Sequence, residues 1–298
     1  MNRPKGLSRL HLADRVALSV TVILMALGAL ASATRADQTP QRIVSLGSSV
    51  TEIIYALGEE DRIVARDSTS THPPDVGSLP DVGYLRALSP EGVISVRPDL
   101  IVAEEGAGPE EAVNLLRSTQ IPYVEAPERY SIDGITDKIR AVGAALGVDE
   151  KAAALARQVE QDLRAVEAAV AADTDAKKRV IFVLSTQDGR IMASGTGTSA
   201  DAMITMAGGQ NVLDSFEGYK PVTSEAVATA RPDIILMMDR NGDHSSSNAE
   251  LFSMPAFRTT PAAETASVVR MNGALLLGFG PRTAQAIQQL NTAFTTGG

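Results

Sequence analysis

The stretch EGVISVRPDLI, from Glu91 to Ile101, decides the fold of this chain, because the pattern returns as EAVATARPDII from Glu225 to Ile235. Proline disfavours the helical conformation in the residue before it, so each copy predicts a short helix that ends at Arg-Pro-Asp and leads into a strand. Chance can produce such a match. Its place before a strand in each half favours duplication, or convergence on one local solution.

Short apolar runs alternate with helical patterns around both copies, which is typical of layered α/β structures. The predicted strands are 42–46, 62–65, 100–103, 122–125, 179–184, 234–238 and 267–270. The predicted helices are 50–57, 90–96, 109–118, 132–146, 149–172, 200–206, 224–230 and 282–293.

The helix predicted at 149–172 stands apart because of its length, about 35 Å at 1.5 Å per residue. One apolar stripe runs along it, formed by Leu155, Val159, Leu163, Val166 and Val170. The pattern therefore predicts a segment at 1–36, an α/β lobe at 37–148, a connecting helix at 149–176 and a second α/β lobe at 177–298.

Residues 1–36 have the pattern of a secretory signal peptide. Four cationic residues between Arg3 and Arg15 precede an apolar run from 16 to 31, and small residues follow. A membrane anchor is the alternative, but the run is shorter than the ~20 residues that a spanning helix needs. The sequence contains no cysteine, which excludes a lipid-modified cysteine at the cleavage point, a disulfide scaffold and thiolate metal sites. We expect a mature protein that begins between Thr34 and Gln38, free in a periplasm.

The expected mature chain is strongly acidic. Without residues 1–36, 22 cationic and 35 anionic side chains remain, a net charge of −13. Such a chain is a poor match for nucleic acid or anionic lipid.

The chain resembles the periplasmic binding proteins that serve importers of haem, cobalamin and ferric siderophores. The resemblance rests on the strand RIVSL at 42–46, the helix TEIIYALG at 51–58, both Arg-Pro-Asp units and the lone connecting helix. It implies two α/β lobes joined by one long rigid helix, with the ligand in the cleft between them. It also implies a monomer without enzymatic activity or membrane insertion, which delivers its cargo to the permease and ATPase of an ABC transporter.

Two segments resemble the haem-specific branch, DVGYLRALSPEG at 81–92 and LGFGPRT at 277–283. In that branch the tyrosine, here Tyr84, is the axial ligand of ferric haem iron, and the arginine, here Arg282, lies near it. Tyrosinate is a ligand used for haem iron, and a nearby guanidinium favours the anion. Arg86 is a second candidate for that role, and either arginine is a candidate partner for a haem propionate.

Tyr219 and Lys220 are candidates from the second half, because Tyr219 precedes Glu225 much as Tyr84 precedes Glu91. Tyr219 would face the cleft and Lys220 would pair with a propionate, whereas the alternative is a solvent-facing loop tyrosine. His72 and His244, the two histidines outside 1–36, are expected in loops, which argues against a bare zinc or manganese site.

Other readings remain open. The segment SGTGTSA at 194–200 matches G-x-G-x-x-A, which would suggest an exported α/β dehydrogenase, but the acidic strand end expected about 20 residues later is replaced by a predicted loop at 214–221. We interpret these glycines as a turn that approaches the ligand. Cobalamin and siderophores remain alternative cargoes, although the absence of tryptophan disfavours aromatic-lined sites.

Glu91 and Glu225 are predicted to contact the permease. In the resembled family a glutamate at this position of each lobe meets an arginine cluster on that partner. Ser89 and Thr223 are the expected N-caps, so a purely structural role is the alternative, since a carboxylate in the first turn stabilises a helix by ~0.3–1 kcal/mol.

Overall fold

The computed structural model describes residues 39–173, 176–239 and 247–296, so the predicted signal peptide lies outside the described residues. Lobe 1 consists of four strands and four helices: β1 (Ile43–Leu46), α1 (Ser48–Ala56), β2 (Ile63–Arg66), α2 (Pro90–Ser95), β3 (Leu100–Glu104), α3 (Glu110–Arg117), β4 (Tyr123–Ala126) and α4 (Ile132–Leu146). The helix α5 (Asp149–Ala172) follows.

Lobe 2 consists of β5 (Arg179–Ser185), β6 (Ile191–Ser194), α6 (Ser199–Met206), β7 (Gln210–Asn211), β8 (Tyr219–Val222), α7 (Ser224–Ala230), β9 (Ile234–Asp239), α8 (Asn248–Ser253), α9 (Pro261–Glu264), β10 (Val268–Asn272), α10 (Gly273–Leu277) and α11 (Thr283–Thr296). Short 3-10 turns lie at Glu60–Arg62, Pro74–Ser78 and Gln187–Gly189.

Each lobe is built on its own sheet. Lobe 1 has the order β2-β1-β3-β4 with every strand parallel, and its central strands are buried apolar runs, as expected for a sheet covered on both faces. Lobe 2 has the order β10-β9-β5-β6-β8, in which β6 runs antiparallel to both of its neighbours. The predicted fold class, two α/β lobes joined by a long helix, is confirmed.

The prediction of a loop at 214–221 is wrong at its end, because Tyr219–Val222 forms strand β8 and pairs with β6. Pro221 made this run look irregular. Proline is tolerated here because β8 ends the order of strands, where one side of the strand needs no backbone donor.

The long helix packs against both lobes. Gly147 ends α4 in the left-handed conformation at φ 72°, and a Cβ at Gly143 would lie 2.1 Å from the Cβ of Ala152, so α4 and α5 approach closely. Near the other end of α5, Val170 lies against Gly208 of lobe 2. One hydrophobic core therefore continues from lobe 1 through α5 into lobe 2.

The Arg-Pro-Asp units have the same geometry in both lobes. Arg97 and Arg231 take left-handed φ values of 50° and 45°, which ends each short helix. Asp99 then accepts hydrogen bonds from the amides of Gln41 and Arg42 at 2.8 Å each.

In lobe 2, Asp233 accepts a hydrogen bond from the amide of Arg179 at 2.8 Å. The side chains of Arg42 and Arg179 donate in return to carbonyls at the ends of α2 and α7, among them Val96 and Ala230. Each unit therefore connects a helix end to the first strand of its lobe, which explains why both halves keep it.

Within the described ranges, no helix combines the length and the apolar character needed to cross a membrane.

We predict that Asp99→Ala lowers the free energy of unfolding by about 1–3 kcal/mol, because two backbone donors lose a charged acceptor. Urea denaturation of the purified protein measures this. Asp137→Ala is the control, since it removes an exposed ion pair with Arg140 and should change stability by less than about 0.5 kcal/mol. Equal effects of the two variants would contradict the structural role of the Arg-Pro-Asp unit.

Candidate functional site

The carboxyl ends of the lobe 1 strands lie at one edge of the sheet, because all four strands are parallel. In open α/β sheets, ligands bind in the crevice outside this edge. The segments that leave the strands there begin at Gly47, Asp67, Glu105 and Pro127. The candidate site is built from these segments and from the part of lobe 2 that contacts them.

Two of these segments are held together by the buried carboxylate of Asp67. It accepts hydrogen bonds from the amide of Gly47 at 2.9 Å and from the amide of Thr69 at 3.0 Å. Gly47 has a φ of 111°, and a Cβ there would lie 2.4 Å from an oxygen of Glu104. Glycine is therefore required where β1 leads into α1.

Tyr84 lies on the segment after β2 and is 49% exposed. Its neighbours Val82, Leu85 and Leu88 are buried in the lobe 1 core. The apolar neighbours thus fix the backbone on both sides of a tyrosine whose own ring is left accessible.

Polar contacts hold the same segment in place. Arg66 forms an ion pair with Asp81 at 2.8 Å, and the amide of Gly108 donates to the carbonyl of Leu85 at 2.9 Å. Gly83 takes a φ of 104°, which favours glycine directly before the tyrosine.

Arg86 is exposed two residues after Tyr84. Within residues 39–173, 176–239 and 247–296, neither its guanidinium nor the Tyr84 hydroxyl has a hydrogen-bonding or ionic partner. The segment therefore presents a phenol and a cation that are both available to a ligand.

Arg282 has a partner of its own. Its guanidinium donates to both carboxylate oxygens of Glu52, with Nε at 2.9 Å from Oε2. Glu52 is a buried residue of α1, so this ion pair connects lobe 2 to lobe 1. The predicted place of Arg282 near Tyr84 stays a prediction.

A fully buried lysine, Lys138, lies at the centre of this edge with 0% of its surface exposed. Its ammonium donates to the Glu128 carboxyl at 2.6 Å and to the Ser49 hydroxyl at 3.0 Å, and lies 3.5 Å from Glu104 Oε1. We call these four residues the lysine cluster.

The lysine cluster also contacts lobe 2, because Lys138 lies 3.3 Å from the carbonyl oxygen of Gly278 and 3.2 Å from that of Phe279. Sequence reasoning missed this group. A signal was available, since Lys138 lies three residues after Ile135 and four before Val142, on the buried face of α4.

The cluster holds two carboxyls for one ammonium. Burial, together with the neighbouring Glu104 carboxyl, raises the pKa of Glu128 to about 9, although Lys138 acts in the opposite direction. The raised pKa favours the protonated form of Glu128 at neutral pH.

Tyr130 follows Glu128 of the lysine cluster by two residues and contacts lobe 2. Its ring is 36% exposed and packs against the buried ring of Phe279, with 5.0 Å between the centroids. Burial is the largest cause that raises the pKa of Tyr130, and Glu128 and Tyr219 add to it, while Arg86 lowers it. Candidate residues of both lobes therefore act on this hydroxyl.

Tyr219 is a residue of strand β8. It is partly buried, its ring meets Phe182 edge-on at 6.2 Å, and its hydroxyl lies 3.3 Å from that of Ser199. Lys220 is exposed and lies over the ring of Phe216 at 5.6 Å. The interpretation of Tyr219 as a solvent-facing loop residue is therefore wrong.

The two histidines and the glycine segment at 194–200 show no feature of a ligand site in the described residues. His72 is partly buried beside Pro73, and His244 lies outside the described residues. A Cβ at Gly195 would lie 2.1 Å from the carbonyl oxygen of Phe216. Any larger residue would clash with this backbone, which accounts for the glycine without a ligand. In the part of the chain that the structure describes, no three acidic or histidine side chains converge as a metal site.

Glu91 and Glu225 are exposed in the first turns of α2 and α7. The predicted N-caps are confirmed, because Ser89 and Thr223 accept hydrogen bonds from the amides three residues later. Hydrogen bonds from the backbone and from Ser89 lower the pKa of Glu91, which keeps it ionised.

The chain is similar in sequence and in fold to known binding proteins. The model of a family described as periplasmic binding protein matches residues 43–275. The structure of the periplasmic heme-binding protein RhuT from Roseiflexus sp. RS-1, in apo form, is 35% identical, covers 86% of this chain and 98% of its own, and has a TM-score of 0.82.

Two curated relatives are more distant. An uncharacterized ABC transporter substrate-binding lipoprotein, YvrC of Bacillus subtilis, is 28% identical over 67% of this chain, which spans 64% of that protein's length. A vitamin B12-binding protein of Pectobacterium atrosepticum is 26% identical over 86% of this chain and 89% of its own.

We predict that Glu128→Gln flattens the pH dependence of stability. Between the ordinary pKa near 4.5 and the raised value near 9, the folded protein holds a proton that the unfolded chain releases, so the free energy of unfolding falls as pH rises. Glutamine removes this term. Urea denaturation at pH 5.5, 7 and 8.5 measures the slope.

Glu125→Gln is the matched control, because it removes a partly exposed carboxylate from the same lobe. An unchanged slope in Glu128→Gln would mean that Glu128 is ionised beside Lys138.

Proposed function

Because the chain belongs to the periplasmic binding protein family, we propose that it captures haem in the periplasm and delivers it to an ABC-type importer. Members of this family bind and hand over substrates, and the chain is accordingly a binding protein and not an enzyme. Haem is its cargo in this proposal and has no catalytic role.

The observation that carries the proposal is the accessible Tyr84 on a segment fixed by buried neighbours. A free phenol has a pKa near ~10, so binding as the anion depends on ferric iron, with help from a nearby cation. Arg86 supplies that cation. The similarity to RhuT, a heme-binding protein, adds support.

The other predicted contacts fit this cargo. Tyr219 and Lys220 are contributed by lobe 2, where Lys220 offers an exposed cation to a propionate. Arg282 contributes indirectly, because its pair with Glu52 joins the lobes beside the cleft. We propose lobe limits at 37–148 and 177–298, with residues 149–176 as the connection.

Cobalamin is the second candidate, since curated relatives of similar length are vitamin B12-binding proteins. The two cargoes differ in whether the protein has to supply a ligand to the metal. Cobalt in cobalamin already has its axial ligands, whereas ferric haem requires a donor from the protein, and Tyr84 is suited to be that donor. A ferric siderophore brings its own donor set as well.

Transfer requires contact with the membrane partner, and we propose Glu91 and Glu225 for it. Each is exposed and follows a confirmed N-cap at the same place in its lobe. Two separated carboxylates fix orientation on a two-fold partner, which one cannot do. We further propose that residues 1–36 direct export and that the mature protein is a monomer.

We predict that ferric haem added to the purified protein gives tyrosinate charge-transfer bands, and that Tyr84→Phe abolishes them. Phenylalanine keeps the ring but removes the donor oxygen. Tyr55→Phe, on α1 among Glu60, Asp61 and Asp75, is the control that keeps the bands. An unchanged spectrum in Tyr84→Phe would refute the ligand assignment, and exclusive binding of cyanocobalamin would favour the second candidate.

We also predict that Glu91→Lys and Glu225→Lys each impair haem uptake into liposomes carrying the cognate transporter, while haem binding in solution stays normal. Charge reversal replaces attraction to a basic surface by repulsion. Glu150→Lys is the matched control, an exposed glutamate in the first turn of α5. If both variants transport haem at the wild-type rate, the docking proposal is wrong, and these glutamates only stabilise the ends of their helices.

A further inference from the structure

Tyr130 lies where the lobes meet, and the proposed function does not use it. It follows β4 at the carboxyl edge of the lobe 1 sheet, and its ring rests on Phe279 of lobe 2. Because Lys138 contacts the carbonyl of Phe279, the surface behind Tyr130 is held in position. Tyr130 is nevertheless 36% exposed.

A short path of contacts connects Tyr130 to the Tyr84 segment. Glu105 accepts a hydrogen bond from the amide of Glu128 at 2.8 Å, two residues before Tyr130. Three residues after Glu105, the amide of Gly108 donates to the carbonyl of Leu85. The loop after β3 therefore links the Tyr130 segment to the Arg86 segment, and Arg86 is near enough to act electrostatically on the Tyr130 hydroxyl.

The two side chains have complementary binding capacity. Neither the Tyr130 hydroxyl nor the Arg86 guanidinium forms a hydrogen bond or an ion pair with residues 39–173, 176–239 and 247–296. Burial raises the pKa of Tyr130, so the phenol keeps its proton at neutral pH and acts as a donor. Arg86 provides further donors and a fixed positive charge.

We propose that Tyr130 and Arg86 form a subsite for a carboxylate group of the cargo. The inference rests on the proposed function and deepens it. Haem carries two propionate carboxylates, whereas the corrin ring of cobalamin carries amides. A neutral phenol beside a guanidinium binds a carboxylate by charge-assisted hydrogen bonds and has much less to offer an amide. Tyr130 thus contributes to the choice of cargo.

The test combines protein variants with ligand variants. Haemin and iron protoporphyrin IX dimethyl ester, in the same mild detergent, are titrated into wild type, Tyr130→Phe and Arg86→Gln. The esters keep the macrocycle and iron but remove both carboxylates. We expect Tyr130→Phe to weaken haemin binding about tenfold, as for a hydrogen bond to a charged group, and to leave binding of the ester unchanged. Tyr55→Phe is the matched control and binds both ligands like wild type.

The outcomes separate this inference from the proposed function. If haemin binds with tyrosinate bands but Tyr130→Phe weakens both ligands equally, or neither, the subsite is overturned and haem binding stands. If Tyr130→Phe affects haemin selectively while the tyrosinate bands are absent, the subsite stands and the Tyr84 assignment falls. If wild type binds no haemin, both are overturned.

Discussion

The rest of the structure depends on the hydrogen bonds that the buried ammonium of Lys138 makes to both lobes. A charge with no exposed surface is stable only where several acceptors surround it, and here carboxyls and a hydroxyl of lobe 1 are joined by two carbonyls of lobe 2. The segment around Phe279 therefore cannot move away from lobe 1 without leaving a buried ammonium short of acceptors. Removing one acceptor is costly for the same reason.

The connection between the lobes is consequently made at two places. The helix α5 carries the hydrophobic core from one sheet to the other, and the pairs made by Lys138 and Arg282 join the segment before α11 to α1 and α4. A helix resists bending, and the buried polar contacts resist sliding. The two connections thus oppose relative movement of the lobes. The candidate ligand contacts Tyr84, Tyr130 and Tyr219 therefore lie on lobes whose relative position is constrained.

The elements that follow from local signals were predictable. Both Arg-Pro-Asp units and the caps Ser89 and Thr223 depend on neighbouring residues, and each was found where the pattern placed it. The contact of the lysine cluster with lobe 2 was not predictable in this way, because Lys138 and Phe279 are 141 residues apart. Strand β8 was missed because Pro221 is compatible with a strand only at the end of a sheet, which the topology decides.

If the anchored segment around Tyr84 binds the cargo as proposed, its anchoring has a consequence for the kinetics of loading. Val82, Leu85 and Leu88 are already buried, so the backbone loses little conformational entropy when a ligand arrives. No ordering step then needs to precede the encounter, and association should be governed by diffusion and by the orientation of the ligand. A preorganised site of this kind sets its affinity through the rate of release, which is the step that a receiving transporter has to accelerate.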